Sequence, residues 1–126
     1  MHVMSLPLSV ALSSKSKFIL NLNQYRNTHY LSLNRAKVAF GELVQEAIAG
    51  LPAMARVRLT YTVYPKNKQM FDISNVCSVV DKFFCDALVG AGKLPDDNYA
   101  HLAQVNYRFG AVDKENPRVE VAIEEV

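Results

Sequence analysis

Acidic side chains are scarce in the first part of this sequence. Residues 1–68 contain only Glu42 and Glu46 against nine Lys and Arg, a local charge of +7, whereas residues 69–126 carry ten acids against five bases, a local charge of −5. The two parts sum to the net charge of +2. A chain divided in this way can present a polyanion-binding surface beside a cation-binding cluster, and complementary halves meeting in a dimer would use the same division differently.

Cysteine is equally sparse. Cys77 and Cys85 are the only two, and on one helix they stand about 12 Å apart at ~1.5 Å per residue. That is beyond disulfide reach, so the expectation is two small buried thiols and a reducing compartment, the cytoplasm. The absence of any CxxC or Cys/His cluster argues against a zinc site. No apolar run approaches the ~20 residues of a membrane-crossing helix, so no membrane partner is expected. The opening MHVMSLPLSVALSS has no Lys or Arg ahead of its apolar part and is interrupted by Pro7 and several serines. It reads as a first strand, not a targeting segment. Repeats and low-complexity tracts are also missing, which leaves a single domain over residues 1–126.

The fold class expected from the hydrophobic pattern is α/β. Pro7 to Leu12 and Phe18 to Leu22 form a strand pair around the SSKSK turn, and the polar NLNQYRNTHYLSLN that follows reads as a loop. Apolar residues from Leu33 to Ile48 recur with the period of a helix, which Gly50 and Pro52 end. Val57, Leu59, Tyr61 and Val63 alternate with polar residues as in a strand with one buried face. A second helix is capped by Asp72 or Ser74 and stopped by Gly90 and Gly92. It has a broad apolar stripe of Val76, Val80, Phe83, Phe84, Ala87 and Leu88, and a narrow polar line of Asn75, Lys82 and Asp86. His101 to Phe109 and Arg118 to Ile123 close the chain as a strand pair. The order is βαβαββ-like: one mixed β-sheet with two main helices packed on it.

Four carboxylates, Asp72, Asp86, Asp96 and Asp97, flank or lie on the second helix. Should the fold bring them together, hard oxygen donors without histidine suit Mg²⁺, with Mn²⁺ as substitute, and such an ion activates water against a phosphodiester. Lys82 can pair with Asp86 or offset charge developing on phosphate. Each residue also has a plainer role: Asp96 and Asp97 suit a turn, Asp72 a helix cap, and Lys82 with Asp86 a surface pair.

The ordered set "RLTYTVYPKNKQ", "DISN…DKFFCDALVGAGKLPDDN" and "VNYRFG…NPRVEVAI" resembles the RusA-like Holliday-junction resolvases from about Leu8 to Ile123. The resemblance implies a homodimeric α/β nuclease of bacterial cells or phage-infected hosts. Such an enzyme binds four-way or otherwise branched DNA and uses Mg²⁺ to nick paired strands symmetrically. It assigns catalysis to Asp72, Asp97 and Lys82, and the metal to Asp72, Asp86, Asp96 and Asp97, with Asp97 the more important of the closing pair. Asn75 matches the asparagine of the family's Asp-x-Asp-Asn segment. Asn23, Tyr25 and Arg26 match an early Asn, Tyr and Arg segment; with Asn75, Lys66 and Lys68 they are the expected DNA contacts, and Lys37, Arg56 and Arg58 would extend the footprint.

The sequence departs from the family twice. Ser74 stands where the family has an aspartate, and the interval from Asn75 to Lys82 is longer by about one helical turn. Asp81 or Asp86 then becomes the alternative to Asp72. The departures also leave open a protein that keeps the fold and binds branched DNA or another partner without cutting.

Overall fold

The computed structural model describes the whole chain, Met1–Val126. Three strands come first, β1 (His2–Leu6), β2 (Ser9–Ala11) and β3 (Lys17–Ile19), then the helices α1 (Leu22–Asn27) and α2 (Tyr30–Ala49). After these come β4 (Val57–Tyr64), α3 (Ile73–Gly90), β5 (Leu102–Phe109) and β6 (Arg118–Glu125). β2 and β3 make a small antiparallel hairpin. The other strands form a mixed sheet in the order β1-β6-β4-β5, as expected of an α/β chain.

β4 is the centre of this sheet because its alternation is the cleanest in the sequence. Val57, Leu59, Tyr61 and Val63 are buried, while Arg58, Thr60, Thr62 and Tyr64 point to the other face. It pairs parallel with β5 and antiparallel with β6. Parallel partners need a long crossover, and α3 supplies it. The closing strands are therefore not a pair, contrary to the sequence-based expectation: β6 takes the opposite edge of β4 and the inner edge of β1. The crossover through α3 sets β5 parallel on one edge of β4, and β6 fills the other edge, antiparallel to both β4 and β1.

α3 lies between the sheet and the other helical elements. Phe84 meets Tyr61 of β4 edge to face, while Phe83 stacks on Phe18 of β3 and receives the edge of Phe40 from α2. A helix sandwiched in this way must be apolar nearly all round. Cys77 and Val79, which lie off the main stripe and would have suited a subunit surface, are instead buried within the chain. Both cysteines are free thiols, as their spacing predicts. Gly92 ends α3 in the left-handed region (φ 73), and the N–H groups of Gly92 and Lys93 return to the carbonyls of Val89 and Leu88.

The polar stretch after β3 is helical, not a loop. Asn21 Oδ1 accepts the Gln24 N–H at 2.8 Å and starts α1; His29 Nδ1 accepts the Leu31 N–H at 3.2 Å and starts α2 three residues before Leu33. Capping, which is local, sets these ends, and α1 has no fully buried residue to leave a periodic trace.

The far face of the sheet is open and polar, and most of its charges are paired, Arg108 donating instead to Thr62 Oγ1. Arg58 meets Glu124 at 3.4 Å, and Arg118 meets Asp113 at 2.8 Å and Glu120 at 3.0 Å while lying over the Tyr64 ring. No helix is long and apolar enough to cross a membrane.

Candidate active site

α1 is docked onto α3 by a backbone group. The Leu22 N–H donates to Asn75 Oδ1 at 3.2 Å, and about two turns further along α3 the Lys82 ammonium stands 5.9 Å from the centre of the Tyr25 ring. Three expected DNA or catalytic residues, Tyr25, Asn75 and Lys82, thus meet where α1 lies on α3, and Arg26 follows Tyr25 on the same short helix. Asn23 lies on the same short helix and is engaged by the Asn27 amide. Lys66 and Lys68 are exposed on the β4–α3 connection. Lys68, but not Lys66, lines a cleft of about 370 Å³ together with Pro65, Met70, Phe71, Phe109 and Val112 among others. This cleft opens beyond the carboxyl ends of the parallel strands, where α/β sheets commonly take ligands.

The four expected metal carboxylates do not converge. Asp72 and Asp86 stand at opposite ends of α3, separated by roughly 21 Å of helix at ~1.5 Å per residue. No group of three or more His, Cys, Asp or Glu side chains is placed so as to hold a metal ion together. Asp72 occupies the N-cap position without a side-chain cap bond. Asp86 pairs with Lys37 of α2 at 3.6 Å, not with Lys82, so Lys37, like Arg58, has its charge offset by a neighbouring acid. Asp96 is a turn residue: its Oδ1 accepts the Asp97 N–H at 2.7 Å and its Oδ2 the Asn98 amide at 3.1 Å. The Asp97 carboxylate is exposed and makes no hydrogen bond or ion pair within the chain. The adjacent aspartates of PDDN therefore divide the work: one builds the turn and the other is free.

The carboxylate with the most developed surroundings is Asp81. Tyr61 Oη donates to its Oδ1 at 2.6 Å, and Cys85 Sγ, one turn along α3, donates to the same oxygen at 3.3 Å. No buried side-chain polar atom in the chain lacks a partner. Both donors use Oδ1 and Asp81 has no ion pair, so Oδ2 is unpartnered and, since no buried polar atom is, not fully closed off from solvent. Burial raises the Asp81 pKa; the Tyr61 and Cys85 hydrogen bonds pull it back, the charge of Asp97 pushes it up again and Lys82 offsets part of this. Burial and the Asp81 charge raise Tyr61 well above the tyrosine range. The same two causes push Cys77 and Tyr107 up to about 12 and Cys85 higher still. Both thiols are held in their protonated form at neutral pH, which disfavours thiolate chemistry.

Asp81 is legible in the sequence as an alternative carboxylate; its hydrogen-bond partners Tyr61 and Cys85 are not. The available signal is an acid embedded in the apolar string VVDKFFC, with a thiol one turn later. Tyr61 comes from the central strand, and only the fold delivers it. No protein-family model matches the chain, and no curated protein matches it.

Proposed function

We propose that the chain is a Mg²⁺-dependent, structure-selective DNA endonuclease. It acts as a homodimer in the cytoplasm of a bacterial or phage-infected cell and nicks four-way or otherwise branched DNA in the manner of the RusA-like resolvases it resembles. One observation carries this reading. Asp81 is a half-buried carboxylate held on one oxygen, open on the other, without an ion pair and under the charge of Asp97. A hydrated divalent cation suits this arrangement, because Mg²⁺ takes one or two carboxylates and keeps several waters. Asp81 and Asp97 would hold it, in place of Asp72, Asp86 and Asp96. When bound, the ion would supply an activated water and polarise the scissile phosphate.

The chain's own residues supply the rest. Tyr61 and Cys85 fix the Asp81 carboxylate and keep its charged form accessible despite burial. Lys82 offsets negative charge beside it. Tyr25, Arg26 and Asn75 line the adjoining surface for the DNA backbone or an unstacked base, and Lys66 and Lys68 meet phosphates farther along.

A second reading, a branched-DNA-binding protein without chemistry, draws on the wide separation of Asp72 from Asp86 and on Ser74 at a family aspartate position. Cleavage of a labelled four-way junction in Mg²⁺ and in EDTA separates the two. Mg²⁺-dependent nicks lost in Asp81→Asn and Asp97→Asn support the nuclease, and tight junction binding without nicks in Mg²⁺ or Mn²⁺ supports the binding protein.

A further inference from the structure

No acidic side chain precedes Glu42, yet Lys15, Lys17, Arg26, Arg35 and Lys37 all do. Only Lys37 meets an acid from elsewhere in the fold, Asp86. Lys15 and Lys17 stand on the β2–β3 hairpin, both exposed, and neither ammonium makes a hydrogen bond or ion pair within the chain.

The hairpin holds these two charges in place. Ser13 Oγ accepts the N–H groups of Lys15 and Ser16 at 3.2 and 3.1 Å and meets Ser16 Oγ at 3.0 Å, while the Leu12 and Ser13 N–H groups donate to the Ser16 carbonyl. The serines close the turn and leave both lysine side chains out of it. Below the turn Val10 and Phe18 are buried, with Phe18 stacked on Phe83 of α3. The alternation of a strand sends Lys17 to the opposite side, away from the core. Arg35 of α2 braces the tip: its Nη2 donates to the Leu12 carbonyl at 2.9 Å, and no acid pairs with its charge. Three unpaired cations from two parts of the chain are thus gathered at one tip.

β3 runs on through Leu20 and Asn21 into α1, which is docked on α3 at Asn75 and Lys82. Lys17 and Lys15 therefore lie within about 18 and 25 Å of Leu22 at ~3.6 Å per extended residue. A duplex covers that span in about five to seven base pairs at ~3.4 Å each. Like charges collected without counter-charges repel one another in the free chain, and a polyanion relieves the repulsion while releasing its own counterions.

We propose that the β2–β3 hairpin, braced by Arg35, grips the sugar–phosphate backbone of one duplex arm of branched DNA, within about seven base pairs of the surface where α1 meets α3. The contact is to phosphates and not to bases. The tip offers no ring on which an unpaired base could stack, because its one aromatic residue, Phe18, is buried. A paired arm fits such a tip, and a splayed single strand does not. The proposal rests on the branched-DNA reading above, but its test reads binding and not cleavage, so it applies equally to a protein that binds junctions without cutting them.

The test measures the affinity of the full chain for a four-way junction in EDTA over a series of KCl concentrations. The wild type, the double variant Lys15→Gln with Lys17→Gln, and Lys93→Gln are compared. Lys93 is the control, past the other end of α3 with its ammonium on the Ala49 carbonyl. Each phosphate contact adds ~0.9 to the slope of log affinity against log salt, so the double variant should lower the slope by about 1.8 and Lys93→Gln should leave it unchanged. Lys17→Gln alone, which leaves the turn untouched, should give half that loss with an unchanged circular dichroism spectrum. In hydroxyl-radical footprints the double variant should lose one end of the tract protected on an arm and keep the rest. A wild type and double variant with equal slopes and equal footprints overturn the inference and leave the branched-DNA reading standing. A slope lowered as much by Lys93→Gln also overturns it, because charge and not place would then be what counts. A wild type that binds no DNA at any salt concentration overturns both.

Discussion

The Tyr61 hydroxyl donates to Asp81 Oδ1 at 2.6 Å, which ties the central strand of the sheet to the middle of the helix that crosses it. Tyr61 is fully buried, and a hydrogen bond from such a group to a carboxylate is worth about 1.5–3 kcal/mol. Tyr61→Phe should lower unfolding free energy by that order in a denaturant titration, since the variant leaves Asp81 with a weak thiol donor alone. A loss below about 0.5 kcal/mol, less than a typical neutral hydrogen bond, would mean that the two groups are not coupled in solution.

Asp81 is expected to cost stability at neutral pH. Its pKa in the folded chain is raised, chiefly by burial, so at a pH between the unfolded and the folded values the folded state holds a proton that the unfolded state has released. A contribution of this sign is fully present below the unfolded value of about 3.9 and is lost as pH rises through the higher folded value. Asp81→Asn, which can still accept from Tyr61, should therefore melt higher than the wild type at neutral pH, with the difference shrinking on acidification. Mg²⁺ should raise the melting temperature of the wild type and leave that of the variant unmoved. A variant less stable than the wild type at every pH would contradict this.

Both thiols should resist labelling. Cys77 has its pKa pushed up to about 12, Cys85 lies higher, and both are buried. Iodoacetamide at neutral pH is expected to leave the native chain unmodified and to label two sites after denaturation. Rapid native labelling at either cysteine would place α3 elsewhere than between the sheet and α2.

Gly92 terminates α3 with φ 73. A side chain there meets no neighbour, so the cost of Gly92→Ala is backbone strain alone, about 1–2 kcal/mol. Equilibrium unfolding should report a loss of that size without any change in the spectrum of the folded state.

Much of this fold is legible in the residues themselves. The alternation from Val57 to Val63 marks the central strand, and the stripe from Val76 to Leu88 with Gly90 and Gly92 marks the long helix within a residue or two. Both signals come from burial against a large core, which leaves a period in the sequence. Polar α1 leaves none, because Asn21 and His29 start the two helices through single side-chain hydrogen bonds. The place of β6 between β1 and β4 is equally hidden: each strand shows its buried face but not its neighbour. The candidate site divides in the same way. Asp97 stands out as one of two adjacent acids, and the turn built by Asp96 is what frees it. Asp81 emerges as the better-supported carboxylate only once Tyr61 and Cys85 are seen on its Oδ1, and Asp86, which falls on the polar line of the helix, turns out to face Lys37.

The most direct measurement is cleavage of an end-labelled four-way junction and a matched linear duplex in Mg²⁺ and in EDTA, with Asp81→Asn, Asp97→Asn and Asp72→Asn in parallel. The prediction is symmetric, Mg²⁺-dependent nicks on the junction, lost in Asp81→Asn and Asp97→Asn and retained in Asp72→Asn. Nicks that persist in both of the first two variants, or a wild type that binds the junction and cuts nothing in either metal, would contradict a metal site built on Asp81 and Asp97.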